Sequence, residues 1–350
     1  MRGEECIRSE SHRTMAESER QMAGNASMPL FALMRRLRGR TALRASGLLW
    51  VLILMCVAAA LISDAFLNPF NLINVARQVA LFGIVSVGMT FVILTAGIDL
   101  SVGSIIAVSA VVSALLLNVG TPVPLVILAG LGVGITLGAI NGAGITLGRL
   151  PPFIMTLGMM VMGRGLAMTI SDGHPIHFPN ASADFAWLGQ GYLLWLPVPV
   201  WIFAAVATLA YVVLRYTPFG RNVYAVGSNP EAARLAGINV RLVVFSVYVI
   251  SGLLSALTAL IFVSRLTVGE PVAGVGIELE AIAVTVIGGT SLFGGEGGVV
   301  GTVIGAAIFA VLANILNLAG VSPFTQQIVK GAIIVLAVLF EMHRRRRDNA

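Results

Sequence analysis

Four ionisable side chains stand where apolar sequence leaves little room for them. Arg164 sits between Gly163 and Gly165 inside one apolar run, Asp99 follows another in Gly97-Ile98-Asp99-Leu100-Ser101, and Glu278 and Glu280 open a third. A charge near the centre of a membrane helix costs about 2.5 to 3.5 kcal/mol on insertion scales, so each should face protein or water and find a partner. Asp99, Glu278 and Glu280 are the acids available to Arg164. Its other options are a hydroxyl of a polar solute in transit, or snorkelling to water at an interface. Asn314 and Asn317, one helical turn apart, either line a path or join helices through their amides.

No enzymatic constellation accompanies these residues. The chain has no G-x-x-x-x-G-K-[ST] loop to cradle nucleotide phosphates, no His pair or Cys cluster at metal-ligand spacing, and no G-x-S-x-G elbow. His12, His174, His177 and His343 are scattered, and Cys6 and Cys56 share no environment for a bridge. Neither a metal nor a cofactor is expected in this chain. If its work consumes ATP, another polypeptide must bind and hydrolyse it.

The longest polar interruption, Tyr216 to Arg241, reads YTPFGRNVYAVGSNPEAARLAGINVR. Here Ser228 or Asn229 can cap a helix, Pro230 suits its first turn, and Glu231 favours the positive end of its dipole. Gly237 can end it in a left-handed conformation. About two turns cannot be stable alone, so Ala232, Ala233 and Ala236 must be covered. The cover is either the protein's own membrane domain or a groove on a partner subunit.

The elements that position these residues are legible from composition. Of 350 residues 57% are hydrophobic and 11% charged, with a mean hydropathy of +0.93, against about 25% charged in a soluble domain. Apolar runs cover 47–66, 79–97, 102–118, 123–147, 153–171, 193–214, 242–264, 278–294, 298–319 and 325–342. Run lengths near the 20 residues of a membrane span predict an all-α polytopic membrane protein of about ten transmembrane helices, in contact with lipid. Nine arginines lie between Arg2 and Arg44, and Arg344 to Arg347 follow the last run, which puts both termini in the cytoplasm. Arg77 and Arg265 are the exceptions to this charge pattern. The net charge of +6 sits at membrane edges rather than on a nucleic-acid-binding domain. The organisation expected is a cytoplasmic tail over 1–46, a membrane domain over 47–342 with a loop at 215–241, and a basic cytoplasmic tail over 343–350.

Gly130, Gly134, Gly138 and Gly142 recur every four residues, as do Gly297, Gly301 and Gly305, giving smooth stripes for close helix packing. Two glycine-interrupted stretches, 97–104 and 288–298, follow the second and eighth runs. A shift of 198 residues sets Gly103 over Gly301 and Ser104 over Thr302, so the chain reads as two weakly similar halves. Paired interruptions of this kind mark the pathway of many transporters. The eighth run supplies only about half a span before Gly288 and is expected to be a short or broken helix.

With these residues in view, the sequence resembles the permease subunits of bacterial ATP-binding-cassette sugar importers of the ribose permease type. The similarity covers nearly all of 48–341. It rests on GMTFVILTAGIDLSVGS (Gly88 to Ser104), LPPFIMTLGMMVMGRGLAMT (Leu150 to Thr169), FGRNVYAVGSNPEAARLAGINV (Phe219 to Val240) and AVTVIGGTSLFGGEGGVVGTVIGA (Ala283 to Ala306). The resemblance implies a bacterial inner-membrane permease for a monosaccharide, working with two cytoplasmic ATPase subunits that bind the ATP. It also implies an external sugar-binding protein and a second permease subunit, most simply another copy of this chain. By the same resemblance Gly227, Ser228, Asn229, Pro230, Glu231, Ala232, Ala233 and Gly237 belong to the loop that contacts the ATPase. A branched-chain amino acid permease of the same fold and an ion-coupled secondary transporter using Asp99 and Glu280 as relays are the alternatives.

Overall fold

The computed structural model describes residues 47–178 and 183–348; the expected tail over 1–46 lies outside them. Each apolar run contains a helix, and prolines and short polar caps set the ends. The described residues open with α1 (Gly47–Ile62) and α2 (Pro69–Leu94), followed by α3 (Val102–Asn118), α4 (Val123–Thr146) and α5 (Pro152–Ile170). A strand of two residues, β1 (Ile176–His177), precedes α6 (Ala183–Gln190), the hairpin β2 (Tyr192–Leu193) and β3 (Leu196–Pro197), and α7 (Val198–Tyr216). Next come α8 (Pro218–Ser228), α9 (Pro230–Leu235), α10 (Val240–Leu266) and β4 (Val268–Gly269), which pairs antiparallel with β1. The last helices are α11 (Ile277–Ile287), α12 (Val299–Leu318) and α13 (Pro323–Asp348).

Six of these, α2, α4, α5, α7, α10 and α12, are long and apolar enough to cross a membrane, and α1 and α3 are shorter apolar helices. The exterior is correspondingly apolar: Trp50, Leu54, Leu61 and Ile328 are each at least 70% exposed. Ser86, Thr90, Ser109, Asn141, Thr156 and Ser251 are buried inside. An apolar skin of this extent around an interior that also holds these polar side chains suits lipid as the solvent.

Several boundaries differ from the sequence pattern for local reasons. α2 starts at Pro69 rather than at 79, because the Asn68 side chain accepts the Phe70 N–H (2.9 Å) and Pro69 enters the first turn. Arg77 therefore lies on a helix, not in a loop. The run expected from 193 begins as the β2–β3 hairpin and becomes helical only at Val198. α13 continues through the arginines expected to form a tail, as far as Asp348.

α10 is the central post, packing on α4, α2 and α3. The glycine stripe of α4 makes the closest of these contacts. A side-chain carbon at Gly134 would run into the Gly252 carbonyl oxygen of α10, one at Gly138 into the Tyr248 carbonyl, and one at Gly142 into Phe245. Gly252 meets Gly134 reciprocally. The two backbones touch, which adds dispersion contact where lipid removes the hydrophobic drive between helices.

Candidate functional site

Between α2 and α3 the chain leaves the helix for residues 95–101; Ala96 is exposed, but Gly97, Asp99 and Ser101 are buried and the rest half-buried. α2 ends with Ala96 left-handed at φ 60°, its N–H bonded to the Ile93 carbonyl and the Gly97 N–H to the Val92 carbonyl. This is the geometry that glycine usually supplies at a helix end. An alanine there carries roughly 1–2 kcal/mol of local strain. Irregular backbone is tolerable within a membrane protein where it is buried in protein or lines a water-filled cavity, and here neighbouring helices serve part of it. The Ile98 carbonyl accepts from Thr156 Oγ1 of α5 (3.2 Å) and from the Tyr248 hydroxyl of α10 (3.3 Å).

Asp99 is fully buried and is the hub of this break. Its Oδ1 accepts from the Ser101 N–H (2.9 Å) and the Ser101 hydroxyl (2.6 Å), and its Oδ2 from the Ser251 hydroxyl of α10 (2.7 Å). Asn141 of α4 donates from Nδ2 to Ser101 Oγ at 2.8 Å. Three helices, α4, α5 and α10, thus converge on the non-helical segment that carries this carboxylate. Arg164 is not its partner.

Arg164 instead reaches from α5 to the loop before α11, where its Nη1 donates to the carbonyl oxygens of Pro271 and Ala273, both at 2.8 Å. Glu278 is the acid whose charge acts on it. One Glu278 oxygen accepts from the Gly276 N–H (3.2 Å), while Oε2 is buried without a hydrogen-bond partner against Gly103, at the start of α3. Glu280 pairs with Lys330 of α13, whose ammonium also lies 5.4 Å from the Phe309 ring centroid. Asn314 exchanges amide hydrogen bonds with Asn71 of α2 (3.0 and 2.7 Å), and Asn317 accepts from Gln326 (2.8 Å). Both amides join helices in this structure.

The polar segment after α7 holds two helices, where the sequence reading gave one. Thr217 caps α8 by accepting the Gly220 N–H (3.2 Å). Asn229 ends α8 and caps α9, its Oδ1 accepting the Ala232 N–H at 3.0 Å. α9 closes as anticipated: Gly237 has φ 84°, its N–H bonds the Arg234 carbonyl, and the Ile238 N–H bonds the Ala233 carbonyl. Both bonds satisfy carbonyls that a helix end leaves open. Ala233 is buried; Ala232 and Ala236 are exposed, and Leu235 is 79% exposed. Glu231 pairs with Arg234 at 3.0 Å on the open surface.

α8 packs inward where α9 faces out. Gly227 is pressed against the Leu94 carbonyl at the end of α2 and against the Gly295 N–H, which itself donates to that carbonyl at 3.0 Å. The Tyr224 hydroxyl donates to the Gly297 carbonyl (3.0 Å). Burial pushes the Tyr224 phenol above its usual range, with the Arg215 charge pulling it back in part, so it stays a protonated donor.

Sequence reasoning missed Asn141, Thr156, Tyr248, Ser251 and Tyr224, which are isolated polar residues without a spacing signature. Lys330 was within reach, because a lysine inside the last apolar run carries the same signal as Arg164. Among the described residues no group of three or more His, Cys, Asp or Glu is placed to hold a metal ion.

Over residues 71–338 the sequence matches the family model for the branched-chain amino acid transport system permease component. It is 44% identical over 290 residues to the ribose import permease protein of Haemophilus influenzae, covering 82% of this chain and 90% of that one. The ribose import permease protein of Bacillus subtilis is 46% identical over 290 residues, 83% of this chain and 90% of that one. The L-arabinose transport system permease protein of Escherichia coli strain K12 is 36% identical over 302 residues, 86% and 91% of the two chains. No solved structure matches the sequence.

Proposed function

This chain belongs to the branched-chain amino acid transport system permease family, and we propose that it is the membrane-spanning permease subunit of an ATP-binding-cassette importer for ribose or a similar monosaccharide. The identity of 44–46% to ribose permeases over most of both chains carries the choice of a sugar over an amino acid. It is a multi-pass membrane protein and a transport subunit rather than an enzyme. ATP is bound and hydrolysed by separate ATPase subunits, an external binding protein delivers the sugar, and a second copy of this chain completes the pore in the bacterial inner membrane. The chain itself needs no cofactor.

The working arrangement has ten crossings, both termini in the cytoplasm, and α9 as the knob that enters a groove on the ATPase. Three features support that role for α9. It is too short to stand alone, it is held rigid by a cap at each end, and it offers Leu235 and Glu231 outward. The ends of α2 and α8 and the loop after α11 meet at Leu94, Gly227 and Gly295, which supports placing all three at the cytoplasmic face. ATP binding draws the ATPase pair together, the knob follows, and the permease pair shifts between outward-open and inward-open states.

Gly237→Pro tests the knob, since proline fixes φ near −65° where this backbone needs 84°. The expected result is loss of ATP-driven sugar uptake with normal membrane insertion, and the same for Glu231→Ala, whose exposed ion pair contributes little to folding. Normal ATPase-coupled uptake in Gly237→Pro contradicts the assignment.

A further inference from the structure

Between the knob and the membrane interior lies a continuous chain of backbone contacts. Only Asn229 separates α9 from α8. The last turns of α8 then touch two irregular segments at once, the end of α2 and the loop 288–298. Gly227 fits against Leu94 O and Gly295 N with no room for a side-chain carbon. Gly295 in turn lies on Ser228, Gly294 lies on Ala96, and Tyr224 holds the Gly297 carbonyl. Five residues past Leu94 is Asp99, which ties the unwound stretch to α10, and through Ser101 to α4.

We propose that the three-way junction of Gly227, Leu94 and Gly295, with the Tyr224–Gly297 hydrogen bond as its lock, converts movement of the α8–α9 unit into displacement of the unwound segment 95–101. Tyr224 and Gly227 are thus positioning residues for coupling. They act on the moving segment and touch neither sugar nor ATP. The physical reason is stiffness: a helix pushing on backbone transmits displacement without the slack of a long side chain. The unwound segment is the compliant element on the receiving side, being non-helical and held by side-chain hydrogen bonds to three other helices. The same push reaches loop 288–298 and through it α12, which begins at Val299. One stroke therefore reaches both glycine-interrupted stretches together.

This inference rests on the permease reading, and the test separates the two. The full transporter, with its ATPase subunits and binding protein, is placed in proteoliposomes with ribose as the probe. ATP hydrolysis and ribose uptake are measured on the same sample for wild type, Tyr224→Phe and Gly227→Ala. Tyr224→Phe keeps the ring and loses one partly buried hydrogen bond, for which the expected effect is about a fivefold fall in ribose moved per ATP. Co-purification of the ATPase and the hydrolysis rate stay at wild-type level. Gly227→Ala forces the backbones apart and should leave futile hydrolysis with almost no uptake. Unchanged ribose per ATP in both variants overturns the proposal. So does loss of ATPase binding in both, since the contact would then merely shape the knob. If Gly227→Ala does not assemble, Tyr224→Phe decides alone. A wild-type chain that never associates with an ATPase contradicts the permease reading itself, a separate outcome visible before any variant is made.

Discussion

Removing the carboxylate of Asp99 should be among the most damaging single changes to the fold. The group is fully buried and accepts three hydrogen bonds, from the Ser101 N–H, the Ser101 hydroxyl and the Ser251 hydroxyl. Asp99→Ala leaves these three donors without an acceptor, and an unsatisfied buried polar group costs about 1–3 kcal/mol. A serine hydroxyl can turn toward another carbonyl and recover part of that, so a total of about 3–6 kcal/mol is expected. Asp99→Asn keeps one oxygen for both Ser101 donors, and its amide can donate to a rotated Ser251 hydroxyl, for a cost of about 1–2 kcal/mol. The assay is unfolding of the purified chain in mixed micelles against increasing denaturing detergent, followed by helical circular dichroism. Asp99→Ala should unfold first, then Asp99→Asn, then wild type. Equal midpoints for alanine and wild type would refute the claim that this carboxylate organises the break between α2 and α3.

Other expectations follow from contacts already described. Gly134→Val drives a side chain into the Gly252 carbonyl and should destabilise the α4–α10 pair by about 1–3 kcal/mol in the same unfolding assay. Asn71→Leu and Asn314→Leu each strand the other amide, whereas the double variant removes both. The cycle should report a coupling of about 0.6–1.7 kcal/mol; zero coupling would mean the amide pair does not form. Arg164→Met frees the Pro271 and Ala273 carbonyls, and hydrogen exchange at the Ile277 and Glu280 amides should quicken at least about tenfold. Unchanged exchange there would show that Arg164 does not anchor this loop.

Much of the architecture was readable because lipid imposes strong rules. Long apolar runs and a four-residue glycine period located the helices and the α4 stripe. The α9 cap was narrowed to Ser228 or Asn229, and its left-handed end at Gly237 followed from residue chemistry alone. Partner choice was less accessible. Arg164 faced three candidate acids in sequence; one of them, Glu278, acts on it through its charge, but its hydrogen bonds go to two backbone carbonyls, a kind of partner with no residue-type signature. Asp99 was singled out for its charge, while the serines that stabilise it come from its own turn and from a helix some 150 residues away in sequence. α8 went unseen since its apolar surface is short and mixed, although the Thr217-Pro218 pair was a usable start signal. The contact of Gly227 with Leu94 and Gly295 depends on three distant backbones meeting, which no local pattern encodes.

The central claim is that this polypeptide moves sugar only when an ATPase drives it through α9. The most direct measurement is radiolabelled ribose uptake into proteoliposomes bearing the chain alone, or with its ATPase and binding protein, each with internal-facing ATP or with a proton or sodium gradient. The account predicts uptake solely in the complete, ATP-supplied vesicles, and none there with Gly237→Pro. Concentrative uptake by the isolated chain under an ion gradient would contradict it.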